Sequence, residues 1–269
     1  MVATLSPEAG RWSRGIGRIT SPVVSLFDAL GSVLLLTART LVWAVLPPYR
    51  PLQLLRAMEF IGVESVFIVS LTGIFSGMVL SLQMVHALRQ FSAESAVGSI
   101  VAISLTREIS PVFAALMVTA RAGSGMAAEL GNMRITEQID ALVTMGVSPV
   151  QYLVSPRVIA SVLVLPLLCV LYTCVGMVGA WWVAVGMLDV DPGIFIANIE
   201  KFLMPSDFWM GEIKAAIFGF LIATISCNQG FFASGGARGV GTATTRAVVY
   251  SAVSLLVANY LITSWLTAV

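Results

Sequence analysis

Five apolar runs dominate this chain, at about residues 61–86, 96–120, 156–187, 211–232 and 245–267. Each is long enough to cross a bilayer as a helix, which takes roughly 20 mostly apolar residues. A backbone in hydrocarbon must satisfy its own hydrogen bonds, which runs of this length do as helices, so they predict a helical membrane bundle. Composition agrees. Hydrophobic residues make up 58% of the 269 positions and charged residues 11%, against about a quarter charged in soluble proteins.

A sixth run, 27–46, carries Asp28, Ser32 and Arg39 on one narrow stripe at helical spacing. That pattern fits a helix lying in the interface with its polar stripe toward the headgroups, ended by the breaker Pro-Pro-Tyr-Arg-Pro at 47–51. The expected fold class is an all-α integral membrane protein: an N-terminal segment with an interfacial helix (1–50), then a five-span domain (51–269). Arg11, Arg14 and Arg18 precede no apolar core of signal-peptide length, so no cleaved leader is expected. Cys169, Cys174 and Cys227 lie in apolar runs and read as buried free thiols rather than a disulfide or metal framework.

Orientation follows from basic residues in alternate loops. The N-terminal region, the 121–157 loop and the 233–246 loop hold eleven Lys and Arg, whereas 87–95 and 188–214 hold three. The N-terminus and the 121–157 loop are therefore expected in the cytoplasm and Val269 outside. Asp189, Asp191, Glu200 and Asp207, with Pro192 and Gly193, mark the largest external loop, with room for a short helix.

The cytoplasmic segment 127–149 reads Ala-Ala-Glu-Leu-Gly-Asn-Met-Arg-Ile-Thr-Glu-Gln-Ile-Asp-Ala-Leu-Val-Thr-Met-Gly-Val-Ser-Pro. Ile135, Ile139, Leu142 and Val143 recur at i, i+4, i+7 and i+8, while Glu137, Gln138, Asp140 and Thr144 take the other side. Gly146 and Pro149 end the pattern as a helix terminus does. A helix over about 134–146 is predicted, resting its apolar face on the bundle and offering its acidic face to another protein. The plainer reading, a surface helix that joins two spans, has the same pattern.

Two further features stand out inside the spans. Arg107 and Glu108 fall near the centre of the 96–120 run, where each charge costs a few kcal/mol on insertion scales unless something compensates. Neighbours in sequence point away from each other on a helix, so each needs a partner from another helix, a second copy, or water in a cavity. Pro111 frees a backbone carbonyl close by. Lys214 near the start of the fourth run is expected to snorkel outward, and Asn259 lies at membrane depth in the fifth. Gly73 and Gly77 form a G-x-x-x-G that lets helices approach closely, and first spans meeting at a dimer axis is one use of it.

Catalysis finds little footing. Gly236 and Gly241 in Gly-Ala-Arg-Gly-Val-Gly-Thr-Ala have P-loop spacing, but Thr242 stands where the phosphate-binding lysine must be. A tight turn with Thr242 or Thr244 capping the last helix explains them better. There is no G-x-S-x-G elbow and no H-E-x-x-H pair, and His86 is the single histidine.

The segment Ala-Glu-Leu-Gly-Asn-Met-Arg-Ile-Thr-Glu-Gln-Ile-Asp-Ala-Leu resembles the Glu-Gln signature of the MlaE/YrbE permeases, the membrane subunits of ABC transporters that work with MCE-domain proteins. So do Phe-Ser-Gly-Met-Val-Leu-Ser-Leu-Gln at 75–83, the 105–131 stretch, and Gly-Gly-Ala-Arg-Gly-Val-Gly-Thr-Ala-Thr-Thr-Arg-Ala-Val-Val at 235–249. The resemblance covers about residues 50–269. It implies a homodimeric permease without catalytic residues in the bacterial inner membrane, moving phospholipid to or from a periplasmic MCE-domain protein (MlaD-like) and supporting outer-membrane lipid asymmetry. A cytoplasmic ABC ATPase (MlaF-like) would hold ATP and Mg, leaving this chain no cofactor and no metal, with a small STAS-domain protein (MlaB-like) reached through the ATPase and no nucleic acid involved.

On that reading Arg134, Glu137, Gln138 and Asp140 couple to the ATPase, with Glu137 and Gln138 matching the signature. Arg107, Glu108, Met78, Leu82, Gln83, Val85 and Asn259 line the lipid route, in a cavity formed chiefly by the first, second and fifth spans. Family members often carry an acid where Asn259 stands, which is a departure here. The alternative is a proton-coupled secondary carrier or channel using Arg107 and Glu108. Such carriers often have repeated halves, and five spans without a visible repeat argue against it.

Overall fold

The computed structural model describes residues 31, 35–38, 40 and 51–268. Among them the secondary structure is helical, with no strand. Five stretches are long and apolar enough to span a membrane: Pro51–Arg89, Glu94–Ile135, Val150–Met187, Pro205–Phe231 and Gly236–Leu266. The expected five-span bundle is therefore present. Of the helix expected at 27–46, only residues 31, 35–38 and 40 are described, and all are helical. Asp28, Ser32 and Arg39, like Arg11, Arg14, Arg18 and Val269, lie outside the described residues.

The first stretch is two helices. Pro51–Ile61 leads through a 3-10 turn, Val63–Ser65, into Val66–Arg89. The latter's 24 residues rise about 36 Å, more than the hydrocarbon core of about 30 Å. The second span contains two π-helical turns, Leu105–Ile109 and Thr119–Gly123. Each carries a charged residue of the span interior, Arg107 with Glu108 in one and Arg121 in the other. A π turn inserts an extra residue and re-aims the side chains around it, and such turns recur at functional sites.

The third span, Val150–Met187, packs between the first and the fourth. Gly73 lies against Tyr172, and a Cβ on Gly77 would fall on the carbonyl of Gly176. The G-x-x-x-G thus brings the first span to the third span of the same chain, and Gly73 and Gly77 are buried. It does not lie free for a dimer axis, because its small face is consumed by this intramolecular crossing. Ser81 Oγ donates to the carbonyl of Ala180 (2.9 Å) in the same seam.

The fifth span begins at Gly236 rather than near 245. Gly235 and Gly236 both have positive φ, +92° and +65°, so the turn closes there and the helix starts at once. Thr242 and Thr244 therefore lie inside the helix, where their hydroxyls donate back to the carbonyls of Gly239 and Val240. They cannot cap it. On this helix Ala243, Ala247, Ser251 and Leu255 are buried at intervals of four, while Val253, Leu256, Val257, Tyr260 and Leu261 are exposed. The same inward ridge continues to Asn259 and Thr263.

We call the end of the bundle near residue 140 the lower end and the end near residue 195 the upper end. At the upper end Asp191 caps the helix Pro192–Phe202, accepting from the Ile194 N–H (2.8 Å), so the loop expected outside does contain a short helix.

Candidate functional site

The helix expected over 134–146 is two pieces. The second span's helix runs on to Ile135, Glu137 takes a left-handed conformation (φ +59°), and a separate helix occupies Gln138–Thr144. The apolar periodicity crosses the break uninterrupted, which is why the segment reads as one helix; Ile135 belongs to the span. Arg134 pairs with Asp140 (2.6 Å), tying the short helix to the end of the span. Ile139 is buried beneath it, and Glu137, Gln138, Val143 and Met145 are exposed. Of the four candidate coupling residues, two hold the corner in place and two present themselves outward.

Arg107 and Glu108 gain partners from other spans. Arg107 Nε donates to Asp207 Oδ1 (2.8 Å), and Lys214 Nζ meets Glu108 Oε1 (2.6 Å). Asp207 and Lys214 are seven residues apart on the fourth span, hence on one face two turns apart. The expectation for both was wrong. Lys214 does not snorkel, because the fourth helix begins at Pro205 and carries Lys214 about 14 Å inward along its axis. Asp207 is no loop acid: it is 2% exposed and closes the helix N-terminus by accepting from the Met204 N–H (3.0 Å).

Pro111 has no N–H to offer the carbonyl four residues earlier, which is that of Arg107. Lys214 Nζ donates to that carbonyl (3.0 Å) and to Thr263 Oγ1 (2.9 Å). Asn259 Nδ2 donates to Glu108 Oε2 (3.2 Å), and Thr263 Oγ1 donates to the same carboxylate. Asn259 Oδ1 is buried without a partner.

The cluster thus joins the second, fourth and fifth spans, whereas the first span was expected to contribute. Its four charges cancel. Burial is uneven: Lys214 is fully buried and Asp207 nearly so, while the side chains of Arg107 and Glu108 are each 39% exposed. One cation and one anion are sunk in the fourth span, and one of each faces outward. Such a site can meet a ligand that bears both charges without a net desolvation bias.

The first-span candidates divide. Leu82 and Gln83 are exposed. Val85 is fully buried in the core, so it does not line an open surface, and Met78 packs toward Gly179 of the third span. Leu82 continues an outward apolar row with Phe67, Leu71, Phe75 and Val79. Two charged groups that sequence reading passed over also lie inside: Arg121 meets Glu64, Ser65 and the Phe60 carbonyl, and Arg157 meets Glu129 (2.8 Å). Each arginine faces an acid of opposite sign, Glu64 or Glu129, near the lower end of an adjoining span, and that pairing of signs was the available signal.

The profile of the permease MlaE family matches residues 54–265. A probable ABC transporter permease protein of Rickettsia conorii is 42% identical over 240 residues, covering 89% of this chain and 93% of that protein. The intermembrane phospholipid transport system permease protein MlaE of Haemophilus influenzae is 37% identical over 212 residues, covering 78% and 81%. The chloroplastic protein TRIGALACTOSYLDIACYLGLYCEROL 1 of Arabidopsis thaliana is 36% identical over 211 residues, covering 78% and 60%. This multi-pass membrane chain therefore belongs to the MlaE permease family, as a permease subunit of the ABC transporter type.

Proposed function

We propose that the chain moves phospholipid between a bacterial inner membrane and a periplasmic MCE-domain partner, as a homodimer driven by a separate cytoplasmic ATPase. The observation that carries this reading is the net-neutral cluster at Arg107, Glu108, Asp207 and Lys214, half of it outward-facing, with the apolar row ending at Leu82 on the same bundle. A phospholipid makes both demands, a polar head bearing charge and long acyl chains. The name of the Haemophilus relative supports the same cargo.

In this scheme the lower end faces the cytoplasm, together with the N-terminus. The ATPase seats on the outward residues Glu137, Gln138, Val143 and Met145, and its closure moves the Gln138–Thr144 helix. The Arg134–Asp140 pair passes that movement to the second span, whose π turn at Thr119–Gly123 lies between the coupling corner and the charge cluster. Asn259 and Gln83 add neutral polar contacts to the headgroup. The upper end hands lipid to the MCE partner.

The test is copurification of the permease with its ATPase and MCE partner, followed by mass spectrometry of bound lipid and ATP-driven transfer between liposomes. Retained and transferred phospholipid is the expected result, with Leu82→Arg blocking transfer while leaving the ATPase bound. ATP-driven movement of a non-lipid solute, with no lipid retained, overturns the reading.

A further inference from the structure

A second polar site lies at the lower end, remote from the charge cluster. A cavity of about 510 Å³ opens between the Pro51–Ile61 helix, the lower half of the second span and the π-helical start of the third. That size is within the ordinary range for small-molecule sites. Its polar lining includes Gln53, Arg56, Glu129, Tyr152 and Arg157, and Phe60 lies on its apolar side. Gly125 makes room for that ring, since a Cβ there would sit 2.7 Å from Phe60 Cζ.

The charges of this lining are only partly spent. Arg157 is bound to Glu129 Oε2 and to the Leu153 carbonyl (2.6 Å). Arg56 forms no ion pair among the described residues, and the Glu129 side chain, though bound to Arg157 through Oε2, is 49% exposed. The buried Oε1 of Gln53 has no donor. Among the described residues this leaves Arg56 without an anion and Gln53 Oε1 without a donor, with the half-exposed Glu129 carboxylate beside them in the same lining.

Position fixes the depth. Leu52 and Leu55, on the same short helix, are 61% exposed, and Arg56 and Glu59 are exposed beside them. An exposed apolar pair adjoining charged residues at a span's end is the pattern of a helix seated at the headgroup level. We propose that this cavity binds a phospholipid headgroup carrying a phosphate and a primary ammonium, the phosphoethanolamine type, from the leaflet at the lower end. The phosphate pairs with Arg56, a charge-assisted bond. The ammonium donates to Glu129 and Gln53. A choline headgroup carries the same phosphate but has no N–H, so it leaves both acceptors unmet.

The site stands whether or not the upper cluster handles lipid, and its test reads this cavity alone. A photoreactive amino acid replaces Met133, which also lines the cavity, in full-length protein in nanodiscs of phosphatidylethanolamine and phosphatidylcholine mixed equally. Mass spectrometry then identifies the adducts. Ethanolamine lipid adducts are expected to exceed choline lipid adducts about tenfold, the size of one or two charge-assisted hydrogen bonds. Gln53→Leu should erase much of that preference. Arg56→Gln, at an exposed position, should lower capture of both lipids about tenfold, and Arg56→Lys should restore it. Equal capture of the two lipids overturns the assignment, as do adducts to this chain's own segments alone. Loss of lipid adducts on adding excess soluble O-phosphoethanolamine, with that compound captured in their place, would move the assignment from a lipid to a free phosphoester.

Discussion

Removing either half of the Glu108–Lys214 pair should cost very different amounts, because the two partners are buried unequally. Glu108→Ala strands an ammonium that is 0% exposed, 2.6 Å from where its counter-charge was. Breaking a buried pair in this way costs about 3–5 kcal/mol. The lower figure applies here, since Lys214 keeps the Arg107 carbonyl and Thr263 as acceptors. Lys214→Met instead leaves a carboxylate that is 39% exposed and still accepts from Asn259 and Thr263, so about 1–2 kcal/mol is expected. The double variant Glu108→Gln with Lys214→Met strands no charge and should lie within about 1 kcal/mol of the parent. Denaturant titration of the purified protein in detergent, with far-UV circular dichroism as readout, measures all three. Equal costs for the two single variants, or a double variant as unstable as Glu108→Ala, would refute the pairing and its uneven burial. The same logic makes Glu108→Gln, and not Glu108→Ala, the variant for transport assays: it keeps an acceptor for Lys214 and removes only the charge.

Two other expectations concern the crossing of the first and third spans and the coupling corner. Gly77→Leu should abolish accumulation of folded protein, because its side chain must displace the Gly176 backbone, whereas the same change at exposed Val79 should be tolerated; membrane expression levels compare the two. Glu137→Gly should leave stability unchanged or raise it by up to about 1 kcal/mol, since φ +59° disfavours a side chain, while Glu137→Lys should keep the fold and weaken association with the ATPase. Copurification yields separate a coupling role from a linker role.

The spans were legible because apolar runs of this length have one outcome in a bilayer, and Arg107 and Glu108 were legible because charge there demands a partner. The partners themselves were not. Lys214 and Asp207 sit near what reads as the edge of an apolar run, and only the true start of the helix at Pro205 puts them inside. Gly73 and Gly77 showed that a helix would approach closely but not which one, since small residues carry no address. The break at Glu137 was hidden for a different reason: a non-glycine residue in the left-handed region leaves no mark in the sequence, and Ile135 and Ile139 keep helical spacing across it. Asn259 and Thr263 fall on the four-residue ridge of Ala243, Ala247, Ser251 and Leu255, so their inward direction was available from periodicity once the helix start at Gly236 was known.

The central claim is that phospholipid reaches the outward half of the charge cluster. Photoreactive amino acids at Leu82, exposed on the first span, and at Asn259, bonded to Glu108, test it in the assembled transporter in native membranes, and neither substitution strands Lys214. The account predicts phospholipid adducts at both positions, with their yield changed by ATP. Adducts to neighbouring helices alone at both positions, with and without ATP, would contradict it.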